Sequence, residues 1–145
     1  MTVKILLVDD HPMIRHGLQN LLKNVADFQI VGEASDGLEA LRELDLKKPD
    51  ILVIDLMMPN LNGLEVLPQV KKLSPATRTI VFSMQSADQY VMEALRAGAM
   101  GYLLKDTGAG EIVAAIQAVI KGDRYVSERI AGLLSSGGTK GTDLP

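Results

Sequence analysis

The sequence contains no cysteine and no tryptophan, and only 3% of its residues are aromatic. The first absence excludes disulfides and thiolate metal sites, which suits a reducing cytoplasm. The low aromatic content leaves the core to aliphatic side chains. A net charge of -3 supplies no positive field to draw the chain onto a nucleic-acid backbone. No apolar run approaches the ~18 residues that a bilayer span needs. Met1-Thr2-Val3-Lys4 enters a strand-like run without a charged-then-apolar signal pattern. What remains is a chain of 145 residues, 47% apolar and 23% charged, in the proportions of one soluble globular domain.

Strand-like and helix-like segments alternate along it. Val3 to Val8 is a continuous apolar run, as expected for a strand covered on both faces. Pro12 fits a first helical turn, and Met13, Ile14, Leu18, Leu21 and Leu22 then recur at helical spacing. Phe28 to Ala34 reads as a second strand. Ser35-Asp36-Gly37 offers cap chemistry to a helix carrying Leu38, Leu41 and Leu44. Strands are expected again at Ile51–Ile54, Thr79–Phe82 and Gly101–Leu104, and helices at Leu64–Leu73, Ala87–Ala97 and Gly110–Lys121. Pro68 is expected to make the first of these helices irregular or kinked. Five β–α units with short connections imply an α/β fold with a doubly wound, five-stranded parallel sheet. The domain is expected to end near residue 122. Residues 123–145 read as a linker, with Ser127 capping a short helix through Leu134 and a flexible stretch at 135–141.

Four strand ends carry chemistry: Asp9-Asp10, Asp55, Ser83 and Lys105. Ligands of open parallel sheets bind outside the carboxyl ends of the strands, which puts these residues on one rim. Clustered carboxylates repel one another unless a cation neutralises them. The ligands are hard oxygens and neither histidine looks suitably placed, so Mg²⁺ is favoured over Zn²⁺. Two carboxylates and one backbone carbonyl would suffice. Lys105 would add a mobile positive charge for a phosphoryl group and Ser83 a donor, the positioning and neutralisation that phosphoryl transfer to a carboxylate requires.

Val8-Asp9-Asp10, Asp55-Leu56-Met57-Met58-Pro59-Asn60, Gly63, Ser83, Gly98-Ala99-Met100-Gly101-Tyr102 and Lys105 together resemble the receiver domain of two-component response regulators. Asp9-Asp10-His11-Pro12 with Arg15 and Gly17-Leu18 looks more narrowly like the NarL/FixJ type. The resemblance spans Val3 to about Gly122 and implies a flavodoxin-like fold with strand order 2-1-3-4-5. It implies that Asp55 accepts a phosphoryl group from a sensor histidine kinase. Asp10, Asp55 and the Met57 carbonyl would hold Mg²⁺ with help from Asp9, and Lys105 would pair with the phosphoryl oxygen. Ser83 would close on that group and Tyr102 would swing inward as the switch aromatic. Met57 and Gln85 would tune the phosphoryl lifetime. Members of the group usually carry a C-terminal helix-turn-helix domain, so DNA binding would belong to an output domain beyond this chain. A phosphorylation-promoted homodimer is implied as well. Many receivers have a cis proline after the lysine. Asp106 stands there instead, and a non-proline cis bond costs roughly 3–4 kcal/mol, so a trans bond is expected.

Plainer readings exist for each residue. Asp9 and Asp10 could cap the helix at Pro12, Ser83 and Lys105 could be ordinary strand ends, and Tyr102 could be packing. His11 and His16 read as a loop residue and an exposed helix residue. The competing function is a stand-alone Mg²⁺-dependent phosphohydrolase with an aspartate nucleophile. Its dehalogenase-type motif wants a second aspartate two residues on, where Met57 stands. No G-x-G-x-x-G or Walker loop supports nucleotide binding.

Overall fold

The computed structural model describes residues 2–106, 108–128 and 130–132. Elements follow in the order β1 (Val3–Val8), α1 (Pro12–Leu22), β2 (Phe28–Ala34), α2 (Gly37–Lys47), β3 (Ile51–Ile54), α3 (Gly63–Leu73), β4 (Arg78–Ser83), α4 (Asp88–Arg96), β5 (Gly101–Leu104), α5 (Ile112–Ile120) and β6 (Tyr125–Val126). A 3₁₀ turn at Ala109–Glu111 leads into α5.

The continuous apolar strands have a simple cause. Successive side chains alternate between two separate cores, so both faces must be apolar. Leu6, Val8, Leu52, Ile54, Val81, Tyr102 and Leu104 join one core, with apolar residues of α2, α3 and α4. Ile5, Leu7, Ile51, Val53, Ile80, Phe82 and Leu103 join the other, with residues of α1 and α5. The fold is the expected doubly wound α/β sandwich. Every strand pairing is parallel, in the order β2-β1-β3-β4-β5-β6.

The five-stranded expectation needs one correction. After Gly122, at φ 97°, the chain returns to the sheet as β6, pairing Gly101 with Tyr125 and Tyr102 with Val126. A two-residue strand is too short to show alternation. It forms because the outer edge of β5 otherwise leaves backbone groups unpaired. A side chain at Gly101 would lie 3.1 Å from the Tyr125 carbonyl. Ile130, fully buried, anchors the segment in the first core beyond the boundary expected at residue 122. Ser127 precedes a helical turn, and Ala131 N–H donates to its carbonyl at 2.9 Å. Its Oγ is buried and has no hydrogen-bond partner among the described residues. Leu134 and the stretch 135–141 lie outside the described residues.

Local signals explain the helix starts. Pro12 opens α1, and the Asp36 side chain caps α2 by accepting from Glu39 N–H at 2.8 Å. Asn62 and Glu65 form a reciprocal capping box on α3. That box nucleates the helix one turn ahead of Pro68, and α3 runs as one element through it.

Candidate functional site

Asp9, Asp55 and Lys105 each sit one step past a strand and still hold a ladder hydrogen bond, so the sheet itself sets their positions. Asp9 N–H donates to Ala34 O and Asp55 N–H to Val8 O, each at 3.1 Å. Lys105 N–H donates to Ser83 O at 2.9 Å. Three strands thereby deliver their end groups to one point. Lys105 Nζ lies 2.7 Å from Asp9 Oδ2 and 2.8 Å from Asp55 Oδ2. Asp9 and Asp55 are 2% and 3% exposed, so a lost counter-charge could not be replaced by bulk water. Burial pulls the Lys105 ammonium down, but its hydrogen bonds and attraction to Asp55 and Asp9 outweigh this and leave it above its ordinary value.

Asp9, Asp10, His11 and Asp55 each offer a ligand atom, all within 4.8 Å of one another. This cluster could hold a divalent cation. Asp10 Oδ1 fits that use: it is shielded from solvent and receives no well-directed hydrogen bond among the described residues, though His11 Nδ1 lies 3.1 Å away. Met57 N–H donates to Asp55 Oδ1 at 3.3 Å, which sets the Met57 backbone beside the Asp55 carboxylate.

Residue order reads His11 as a loop residue unsuited to be a ligand, and a loop residue it is. In the structure it immediately precedes α1, its N–H donating to Asp9 Oδ1 and its Nδ1 lying 2.9 Å from the same oxygen. The Asp9-x-His11 spacing is that of an Asx turn, the one signal that could have revealed it. Arg15 carries no signal in residue order beyond the family resemblance. It hydrogen-bonds the Asp9 carbonyl and pairs with Glu33 at 2.9 Å, tying β2 to the rim.

Ser83 and Tyr102 are brought together on the flank of this cluster. Ser83 is fully buried, its Oγ accepting from Gln85 N–H at 3.2 Å. Tyr102 O–H donates to the Gln85 carbonyl at 2.5 Å. One peptide residue therefore joins both. Tyr102 is fully buried here, so its inward position is already occupied. Burial pushes its hydroxyl well above the ordinary tyrosine range; the Ser83 hydroxyl opposes that shift and the charge of Asp55 adds to it. The Lys105–Asp106 bond is trans as expected, no cis bond occurring among the described residues.

The family described as the response regulator receiver domain matches residues 5–117. The nitrate/nitrite response regulator protein NarL of Escherichia coli (strain K12) is 38% identical over 132 residues, covering 91% of this chain and 61% of that protein. Response regulator protein VraR of Staphylococcus aureus (strain Mu3 / ATCC 700698) is 37% identical, over 85% of this chain and 59% of its own length. The chain thus spans about three-fifths of these relatives. Among solved structures, a LuxR-family two-component response regulator from Aurantimonas sp. SI85-9A1 superposes with a TM-score of 0.90 at 34% identity. That match covers 97% of this chain and 100% of the other. The receiver domain of the NarL regulator from Mycobacterium tuberculosis gives 0.79 at 36% identity, covering 83% and 98%.

Proposed function

This chain belongs to the response regulator receiver domain family, and on that premise we propose that Asp55 accepts a phosphoryl group from a phosphohistidine on a sensor histidine kinase. The observation that carries the reading is the convergence of Asp9, Asp55 and Lys105 from three strand ends at 2.7 and 2.8 Å. An Asp55 oxygen attacks phosphorus as the P–N bond breaks, and the imidazole leaves with the electron pair and takes up a proton. Asp55 Oδ2 is held by Lys105, while Oδ1 accepts, among the described residues, only the longer bond from Met57 and is the freer nucleophile. Asp9, Asp10, Asp55 and the Met57 carbonyl would hold Mg²⁺, which when bound neutralises the charge gathering on the transferred oxygens. Lys105 then pairs with a phosphoryl oxygen. Ser83 turns from Gln85 toward the same group, and the shared Gln85 peptide passes that movement to Tyr102.

Residues 1–122 would form the receiver, with β6 and Ile130 packed onto it and the rest of 123–145 leading toward an output domain. The greater length of the matched relatives supports this. DNA would be bound only through that domain. The chain itself would turn over no substrate beyond phosphotransfer and slow autodephosphorylation. It would act in the cytoplasm, beside the kinase domain that supplies the phosphoryl group. No helix among the described residues is long and apolar enough to cross a membrane.

A small-molecule phosphodonor tests the assignment. Labelling should be Mg²⁺-dependent, stoichiometric and lost in Asp55→Ala; undiminished labelling of that variant would overturn it. The labelled protein, run in sedimentation beside unlabelled protein, should show the phosphorylation-promoted homodimer. Multiple turnover of a generic phosphate ester would favour a phosphohydrolase instead.

A further inference from the structure

The backbone leaves Asp55, crosses a loop over residues 56–62 that starts at the buried Leu56 and is exposed at Met57, Pro59 and Asn60, and returns to the acceptor at Gly63. Both ends of this loop are fixed by close backbone approach. Gly63 N–H donates to Leu56 O at 2.8 Å, and a Cβ at Gly63 would fall 2.4 Å from Asp55 O. At the far end a Cβ at Gly37, the first residue of α2, would fall 2.0 Å from Leu61 O. The apex between these grips is Asn60, in the left-handed region at φ 68°, a conformation that asparagine tolerates better than most side chains. Its Nδ2 donates to Asp36 Oδ2 at 2.9 Å. The other oxygen of the same carboxylate accepts from Glu39 N–H at 2.8 Å. Asp36 thus uses one oxygen to cap α2 and the other to hold the phosphoacceptor loop.

We propose that the Asp36–Asn60 hydrogen bond positions the phosphoacceptor loop, so that the Met57 carbonyl is set for the cation before the cation arrives. Both are positioning residues; neither touches the reacting atoms. Met57 lies between Asp55 and this clamp, its N–H already on Asp55 Oδ1, so a shift of the apex is felt at its carbonyl. The Asp36 carboxyl is held below its usual range by the Glu39 N–H and then by the Asn60 amide, so it serves both contacts as the anion. The inference rests on the Mg²⁺ site proposed above.

The test uses three variants of the full chain. Asn60→Gly removes the amide but keeps the left-handed backbone unstrained. Asn60→Asp sets carboxylate against carboxylate. The exchanged pair Asp36→Asn with Asn60→Asp rebuilds the bond with donor and acceptor reversed, and Asn at 36 still caps α2. Mg²⁺ affinity is read by NMR titration, and hydrogen exchange is followed over residues 56–62 in metal-free protein. Asn60→Gly should weaken Mg²⁺ about threefold to tenfold. Asn60→Asp should weaken it further, and both should speed exchange in the loop. The exchanged pair should return to within about twofold of the parent in both readouts. Parental affinity and exchange in Asn60→Gly, or no recovery in the exchanged pair, would overturn the clamp alone. A parent protein with no saturable Mg²⁺ binding would overturn the proposed metal site and the clamp's role with it.

Discussion

Replacing Lys105 with Met keeps an unbranched stem and removes the cation that bridges Asp9 and Asp55. The loss is larger than that of a surface ion pair, because both carboxylates are almost fully buried. Two charge-assisted hydrogen bonds at 2.7 and 2.8 Å disappear, and two like charges face each other uncompensated. Breaking a buried pair in this way costs about 3–5 kcal/mol. For a domain of this size each kcal/mol shifts Tm by roughly 2–4 °C, so melting should fall by about 6–20 °C at neutral pH in EDTA. Saturating Mg²⁺ should narrow that deficit, since a bound dication stabilises the folded state and does most where the lysine is missing. At about one hundred times Kd, ligand binding contributes about 2.7 kcal/mol. The pH dependence follows from the direction of the lysine shift. Lys105 is raised in the folded protein, so its contribution is complete below the unfolded value near ~10.4 and is lost as pH rises through the higher folded value. Thermal melts of parent and variant, with and without Mg²⁺ and from pH 7 to 11, give the difference directly. Equal melting temperatures at pH 7 in EDTA, or a deficit untouched by Mg²⁺, would refute the reasoning.

Two further outcomes follow from particular contacts. Tyr102 should be the last tyrosine to ionise: its folded value is raised by burial, so this part of the stability is present below about pH 10 and lost above it. Ultraviolet titration should show its phenolate appearing only with unfolding, and early ionisation in a folded protein would contradict the burial argument. Arg78 donates to the carbonyls of Val119 and Ile120 at 2.8 and 2.6 Å, closing the C-terminus of α5. Arg78→Met should therefore cost about 1–3 kcal/mol in urea denaturation, and an unchanged midpoint would show that water serves those carbonyls as well.

Some of this was open to reading from residue order. Asp55 ends an unbroken apolar run, and in a doubly wound sheet such a run has one place to end, on the ligand-bearing rim. Lys105, Ser83 and the Asp9-Asp10 pair follow by the same logic, and the structure places Asp9, Asp55 and Lys105 in direct contact. The approach of His11 to the carboxylates was missed because an Asx turn folds it back over two residues, which periodicity cannot register. Tyr102 had the right neighbourhood, but its inward pose depends on a carbonyl 17 positions earlier in the chain.

Residue order alone determined the alternation of strands and helices, the two-faced burial of the sheet and the rim on which the charges stand. These depend on local pattern and on the handedness of β–α units, which act wherever the pattern occurs. The tertiary structure decided the sixth strand, the inward tyrosine and the joining of the α2 cap to the loop after Asp55 through Asp36 and Asn60. Each is a contact between distant segments, made because an unpaired backbone group or a spare carboxylate oxygen found a donor or acceptor within reach only after the sheet had assembled.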